Sequence, residues 1–253
     1  MGGRVGERAG AAIPGLGRLI NWALLAALIA AYAWYLRGGG VPPDTGRIAR
    51  YRRWMRRAPL AFGVSGLIAL ALGGRLDALT QLPPEFAALA VEARHLAGFG
   101  GPAFKIAVLA GLGGGAVLGL LIARWQLRRG RRPFTAGDID RILPRDNGEF
   151  GWTAALGIAA GIVEELFFRL ALPLFAALAT GSAAFGFTLA TLLFAGAHRY
   201  QGWRGVAFTG VAGALFATLY LATGELWFAM LVHALLNLNG LVLRPALLRP
   251  RSD

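Results

Sequence analysis

The chain has no cysteine, which excludes disulfides, thiol catalysis, Cys-ligated zinc and iron–sulfur clusters. Charge is scarce as well: 15% of the 253 residues are charged, against about 25% in an ordinary soluble domain. Lysine is almost missing, Lys105 being the single one among 26 basic residues. There is no H-E-x-x-H and there are only three histidines. What fills the chain is hydrocarbon, with 56% hydrophobic residues and a mean hydropathy of +0.55. A net charge of +13 on a soluble domain would suggest nucleic acid. Here the arginines gather in loops between long apolar runs, a pattern that signals topology and contact with anionic lipid head groups. The expected partner is therefore membrane lipid and not nucleic acid.

A spanning helix needs roughly 20 mainly apolar residues. Candidates fall near 18–36, 58–74, 103–123, 153–179, 183–198, 204–222 and 226–243. These predict an all-α, polytopic transmembrane bundle of about seven spans, with a cavity between the C-terminal helices. Ala31-Tyr32-Ala33 resembles a signal-peptide cleavage site, but the Arg-rich segment that follows favours an uncleaved anchor. The expected loops 37–57 and 124–150 hold seven arginines each, whereas 75–102 has only Arg75 and Arg94. Arg-rich loops stay cytoplasmic, so the N-terminus is expected outside and the C-terminus inside; Arg4, Arg8 and Arg18 argue the other way. Residues 78–102 read as an amphipathic or re-entrant external piece, and 133–150 as a short interfacial segment. The glycine run Gly111 to Gly115 with Gly119 reads as a close-packing helix face.

Eleven of the thirteen acidic residues sit in loops, tails or helix ends. The exceptions are Glu164 and Glu165, side by side in an apolar span. A charge near the bilayer centre costs at least about 2.5–3.5 kcal/mol, so such groups are read as functional by default. Neighbouring residues differ by about 100° around a helix, and Glu165 stands four residues before Arg169, the favourable ion-pair order. That pairing leaves Glu164 to face a cavity, a metal or another helix. His198 ends the next span, and His233 and Asn237 share one face of the last. Glutamate with histidine suits water activation, and a His–Asn face suits an oxyanion. The plainer alternatives are a structural Glu164–Glu165–Arg169 cluster and interhelical hydrogen-bonding by the histidines and Asn237.

At these residues the chain resembles the CAAX prenyl protease type II family, also called CPBP or Abi intramembrane endopeptidases. The family pattern E-E-x3-R, F-x3-H, H-x3-N is met by Glu164-Glu165-x3-Arg169, Phe194-x3-His198 and His233-x3-Asn237, in order, over roughly residues 150–243. The resemblance implies that Glu164 is the general base, that His198 helps to hold the water, and that His233 and Asn237 stabilise the oxyanion. Glu165 and Arg169 shape the site. No cofactor is favoured; zinc on Glu164, His198 and His233 is the alternative. The implied substrate is a membrane-associated peptide or protein, prenylated where the host prenylates. The family's fold encloses a cavity reached from the cytosol and the bilayer.

The organisation expected is 1–149 as N-terminal membrane helices with Arg-rich loops, 150–243 as the catalytic core, and 244–253 as a basic tail. Arginine richness is compatible with GC-rich coding and points to a bacterial inner membrane. Three other readings compete. Gly63-Val64-Ser65-Gly66 resembles the G-x-S-G of rhomboid serine proteases, but a base must be shown to meet the serine. A proton-coupled transporter also carries intramembrane Glu, His and Arg, though neither repeats nor matched broken helices are found. A non-catalytic membrane partner serving immunity or trafficking would not need the intact set of motif residues.

Overall fold

The computed structural model describes residues 15–38, 46–98, 101–135 and 137–248. Among these residues the regular structure is helical throughout. Helix α1 is Leu16–Arg37 and α2 is Arg47–Leu72. A short α3, Ala87–Ala97, precedes α4, Gly101–Arg128. The site-bearing α5 runs unbroken over 147–180, and α6 is Ala183–Ala197. Helix α7, Gly202–Thr223, follows the turn Arg199–Gln201, and α8 is Leu226–Leu248. Arg4, Arg8, Arg249 and Arg251, and parts of the loops expected at 37–57, 75–102 and 124–150, lie outside the described residues.

Five of these helices are long and apolar enough to cross a membrane: α1, α2, α4, Arg199–Thr223 and α8. Two of the seven expected spans fall outside this set. Residues 153–179 lie inside α5, where Glu164, Glu165 and Arg169 interrupt the apolar run of a 34-residue helix. Residues 183–198 form α6, an apolar helix of 15 residues that reaches about 22 Å. One correction concerns 47–57, expected as loop: these residues are the first turns of α2. Pro59 does not stop that helix. The backbone widens into a π-helical stretch, Pro59–Val64, and continues. Two further π-helical stretches occur, Leu166–Ala171 and Asn239–Leu243, with Pro173 and Pro245 each two residues beyond. Proline lacks an N–H and crowds the carbonyl four residues back, and a local π turn absorbs the mismatch.

Caps define the ends of the central elements. Asp146 accepts from the Glu149 amide and Glu149 accepts from the Arg145 amide, a reciprocal box that starts α5. Gly181 and Gly224 close α5 and α7 in the left-handed region, at φ 81° and 72°, where a Cβ would be strained. The tight turns that result return the chain at once into α6 and α8. The core centres on α5: every residue from 164 to 177 is buried. Phe167 and Phe168 meet Phe62 of α2 at 5.0 and 5.1 Å between ring centres, and Phe168 meets Phe194 of α6 at 5.3 Å. The polar part of α5 is thus screened from lipid on all sides, the condition under which intramembrane charge is tolerated.

Close helix contact comes from glycines other than the expected run. Nothing lies within 4 Å of where a Cβ would sit at Gly111, Gly113, Gly114, Gly115 or Gly119, and the apolar stretch of α4 is only 6% buried in the chain. The Gly157-x3-Gly161 pair on α5 does the packing instead. A Cβ on Gly161 would stand 2.7 Å from the Ala234 backbone nitrogen, and one on Gly157 would stand 3.2 Å from Asn237 Cβ. Such small-x3-small faces let membrane helices approach closely.

Residues 78–98, expected as part of an external piece, form a turn through Pro83 followed by α3, which buries Ala90 and Ala93. Arg75 and Glu85 close it with two 2.7 Å hydrogen bonds. At the other end of the bundle, the segment expected to be interfacial is pinned by Arg47, which donates to the carbonyls of Asp140, Arg141 and Leu143. Gly161→Val should cost about 1–3 kcal/mol by overpacking against backbone, whereas Gly114→Ala should stay within about 0.5 kcal/mol. Thermal unfolding of the two variants in detergent checks the difference.

Candidate functional site

Glu164 and Glu165 occupy the last turn of the α-helical part of α5, directly before the π-helical stretch that holds Arg169. The expected division between the two carboxylates is found. Glu165 Oε2 lies 3.2 Å from Arg169 Nε, and its Oε1 lies 2.8 Å from His233 Nδ1. Glu165 and Arg169 have no exposed side-chain surface. Glu164, turned about 100° away, makes no ion pair with arginine. Its Oε2 is buried without a hydrogen-bond partner and stands 3.9 Å from His233 Nε2.

His233 is therefore held between the two carboxylates, with one ring nitrogen toward each. Its ring stacks on Phe216 at 4.6 Å and 19°, and meets Phe194 edge-on at 6.0 Å. The same two rings cover the Arg169 guanidinium, whose carbon lies 4.5 Å from Phe194 and 5.7 Å from Phe216. Cation–π attraction of a desolvated guanidinium is worth about 2 kcal/mol, a partial return for the hydrogen bonds that Arg169 Nε, Nη1 and Nη2 do not make.

The other two motif residues stand differently. His198 caps α6, and its Nδ1 pairs with the Phe194 carbonyl at 2.9 Å. With Nδ1 as the donor, Nε2 is left as an acceptor. Its ring lies 4.9 Å from Phe194 and 5.9 Å from Tyr200. Asn237 Nδ2 donates to the Gly157 carbonyl at 3.2 Å, so one of its two amide hydrogens ties α8 to α5. Glu164, Glu165, Arg169 and His233 form one linked group, in which Glu165 meets Arg169 and His233 faces both carboxylates. Asn237, one turn beyond His233, keeps its second amide hydrogen outside this bond to Gly157.

Several neighbours were not legible as site residues. Phe194 was visible only as a motif letter, and Phe216 carried no signal in an apolar span. Tyr35 of α1 and Tyr200 both lie within electrostatic reach of Glu164. The Tyr35 hydroxyl accepts from Trp54 Nε1 at 3.0 Å, which joins α1 and α2 beside the site. Ser65, the candidate serine nucleophile, donates its hydroxyl to the Ala61 carbonyl of its own helix.

Among the described residues no group of three or more His, Asp or Glu side chains is arranged to hold a metal ion. Each histidine has its Nδ1 on an acceptor, the Phe194 carbonyl for His198 and Glu165 for His233, which leaves Nε2 as the nitrogen turned to other partners.

Breaking a buried ion pair from one side strands the other charge, at a cost of about 3–5 kcal/mol. Arg169→Met should lower stability by that amount, seen as a fall in melting temperature. The double change Arg169→Met with Glu165→Gln should recover part of it, because no charge is then stranded.

No curated protein and no solved structure matches the chain. A family match does exist, it covers α5 through most of α8, and it supports a CAAX-type intramembrane protease in general. Residues 146–239, which contain all three motifs, match the family described as type II CAAX prenyl endopeptidase Rce1-like, the family that the motifs resemble.

Proposed function

We propose that the chain hydrolyses a peptide bond in a membrane-associated peptide or protein, with Glu164 as the general base. The observation that carries this reading is the contrast between two adjacent buried carboxylates. Glu165 is ion-paired with Arg169 at 3.2 Å through Oε2 and hydrogen-bonded to His233 Nδ1 at 2.8 Å through Oε1, whereas Glu164 has neither contact and faces His233 Nε2 across 3.9 Å; Oε2 of each carboxylate is buried without a hydrogen-bond partner. A water that bonds to Glu164 and His233 at once would be oriented from two sides.

In the proposed reaction Glu164 takes one proton from that water as its oxygen bonds to the substrate carbonyl carbon. The carbonyl oxygen becomes an oxyanion. His233, held at Nδ1 by Glu165, turns Nε2 toward that oxyanion, while the second amide hydrogen of Asn237 serves the same charge. His198, with Nε2 free to accept, steadies the water. Collapse of the adduct breaks the C–N bond, and Glu164 returns its proton to the leaving amine. No metal enters this scheme, and the chelator arm of the test below decides that point.

The substrate class, a membrane-associated peptide or protein that is lipidated where the host prenylates proteins, is supported by the family match alone. Location in a bacterial inner membrane with the N-terminus outside is part of the same proposal. It is supported by the clustering of Arg37, the α2 arginines, Arg124 to Arg132, Arg199 and Arg244 at one end of the bundle. The contacts Arg199 to Leu36, Arg244 to Phe134 and Arg47 to Leu143 mark that end, which short-loop arginines assign to the cytosol.

The test is cleavage of a quenched fluorescent peptide library by purified protein, with and without chelator. Glu164→Ala should lower the rate by about 10²–10⁴, the usual worth of a positioned base, and chelator should leave the wild type unchanged. Undiminished cleavage by Glu164→Ala would overturn the mechanism, and loss on chelation would overturn its metal-free form.

A further inference from the structure

The first three turns of α2, Arg47–Ala58, hold six arginines and no acidic residue. Four of them, Arg52, Arg53, Arg56 and Arg57, line an open recess of about 400 Å³ together with Ala49. Their spacing of three and four residues puts them on one helix face. Among the described residues none of the four forms an ion pair with a carboxylate. Four positive charges on one face repel one another, so the arrangement calls for an anion.

The guanidinium groups are held in place by neutral partners. Arg57 lies 3.9 Å above the Trp34 ring and donates to the Trp34 carbonyl. Arg53 donates to the Gly38 carbonyl at 2.8 Å, and Arg52 sits 5.3 Å over Trp152. Gly38 is part of this seat: a Cβ there would fall 1.9 Å from Arg57 Cζ. Arg57 Nε is buried with no hydrogen-bond partner. Planar guanidinium forks held in this way match the oxygens of a phosphate, which they bind in pairs of parallel hydrogen bonds.

Depth selects the source of the phosphate. The recess sits where α2 turns from an arginine-rich segment into an apolar span, and Trp34 and Trp152, which stack on its arginines, are residues of the membrane–water boundary. We propose that this recess binds the phosphate of an anionic phospholipid headgroup, with Arg53 and Arg57 as the principal donors and Arg52 and Arg56 at the flanks. The site is separate from the Glu164–His233 group, so it stands or falls independently of the peptidase reading.

The experiment is a lipid titration of the full-length protein in detergent, followed by melting temperature. Phosphatidylglycerol should raise the melting temperature of the wild type and phosphatidylcholine should not. Arg53→Gln with Arg57→Gln should weaken the apparent affinity for phosphatidylglycerol about tenfold, as expected for lost charge-assisted hydrogen bonds. Arg131→Gln with Arg132→Gln removes equal charge from exposed positions at the same end and should change it less than about twofold. Arg56→Gln, an exposed rim position, provides a second variant that spares the buried seat and should weaken binding about threefold. Equal losses in the two double variants would mean diffuse charge attraction and overturn the site, as would unchanged affinity in the recess variants. Equal stabilisation by inorganic phosphate would overturn the lipid as the source.

Discussion

A guanidinium without exposed surface lies among the C-terminal helices, and the packing around it follows from what an uncompensated charge costs in a low dielectric. Arg169 is answered by one carboxylate oxygen of Glu165 and by the faces of Phe194 and Phe216. The other oxygen of Glu165 takes His233. Helices α5, α6, α7 and α8 each contribute at least one of these groups, so the charge links all four. With Glu165 engaged in this way, the proposed mechanism assigns the chemistry to its neighbour. Two identical residues side by side acquire different roles because helical rotation points one into the ion pair and the other toward the open side of His233.

Part of this was legible in the sequence. The Glu165–Arg169 pair follows from a four-residue spacing within one helix, and the isolation of Glu164 follows from the same geometry. Helical class and most element centres follow from apolar run length. Other features depend on partners distant in the chain. The contact between Glu165 and His233 spans 68 residues, and Phe216 looks like any other apolar residue until α7 is folded over the site. The two glycine patterns show the same limit. Gly111 to Gly119 and Gly157 to Gly161 look alike as strings, yet only the second meets another backbone. The second span was expected to begin near residue 58, where the apolar run starts after the arginines; that the helix reaches back through 47–57 and crosses Pro59 as a π-helical stretch is not readable from local spacing.

The bundle also separates two kinds of charge by depth. Internal charges are few, fully buried and paired through α5. Those at the arginine-rich end are many, and they are met by backbone carbonyls and tryptophan faces: Arg47 binds three carbonyls of 140–143, and Arg57 stacks on Trp34. The first kind is the group on which the proposed peptidase chemistry rests. The second, in the proposed topology, lies at the cytosolic interface, the end where His198 and Tyr200 follow α6. A substrate anchored in the bilayer and exposed to the cytosol would meet both.

The central claim, that Glu165 serves structure and Glu164 serves chemistry, is tested most directly by two isosteric changes measured side by side for melting temperature and single-turnover peptide cleavage. The account predicts that Glu164→Gln stays within about 1 kcal/mol of wild-type stability and loses cleavage about 10²-fold or more. It predicts that Glu165→Gln loses about 3 kcal/mol or more by stranding Arg169. A destabilised Glu164→Gln beside a stable, inactive Glu165→Gln would reverse the two roles and contradict the account.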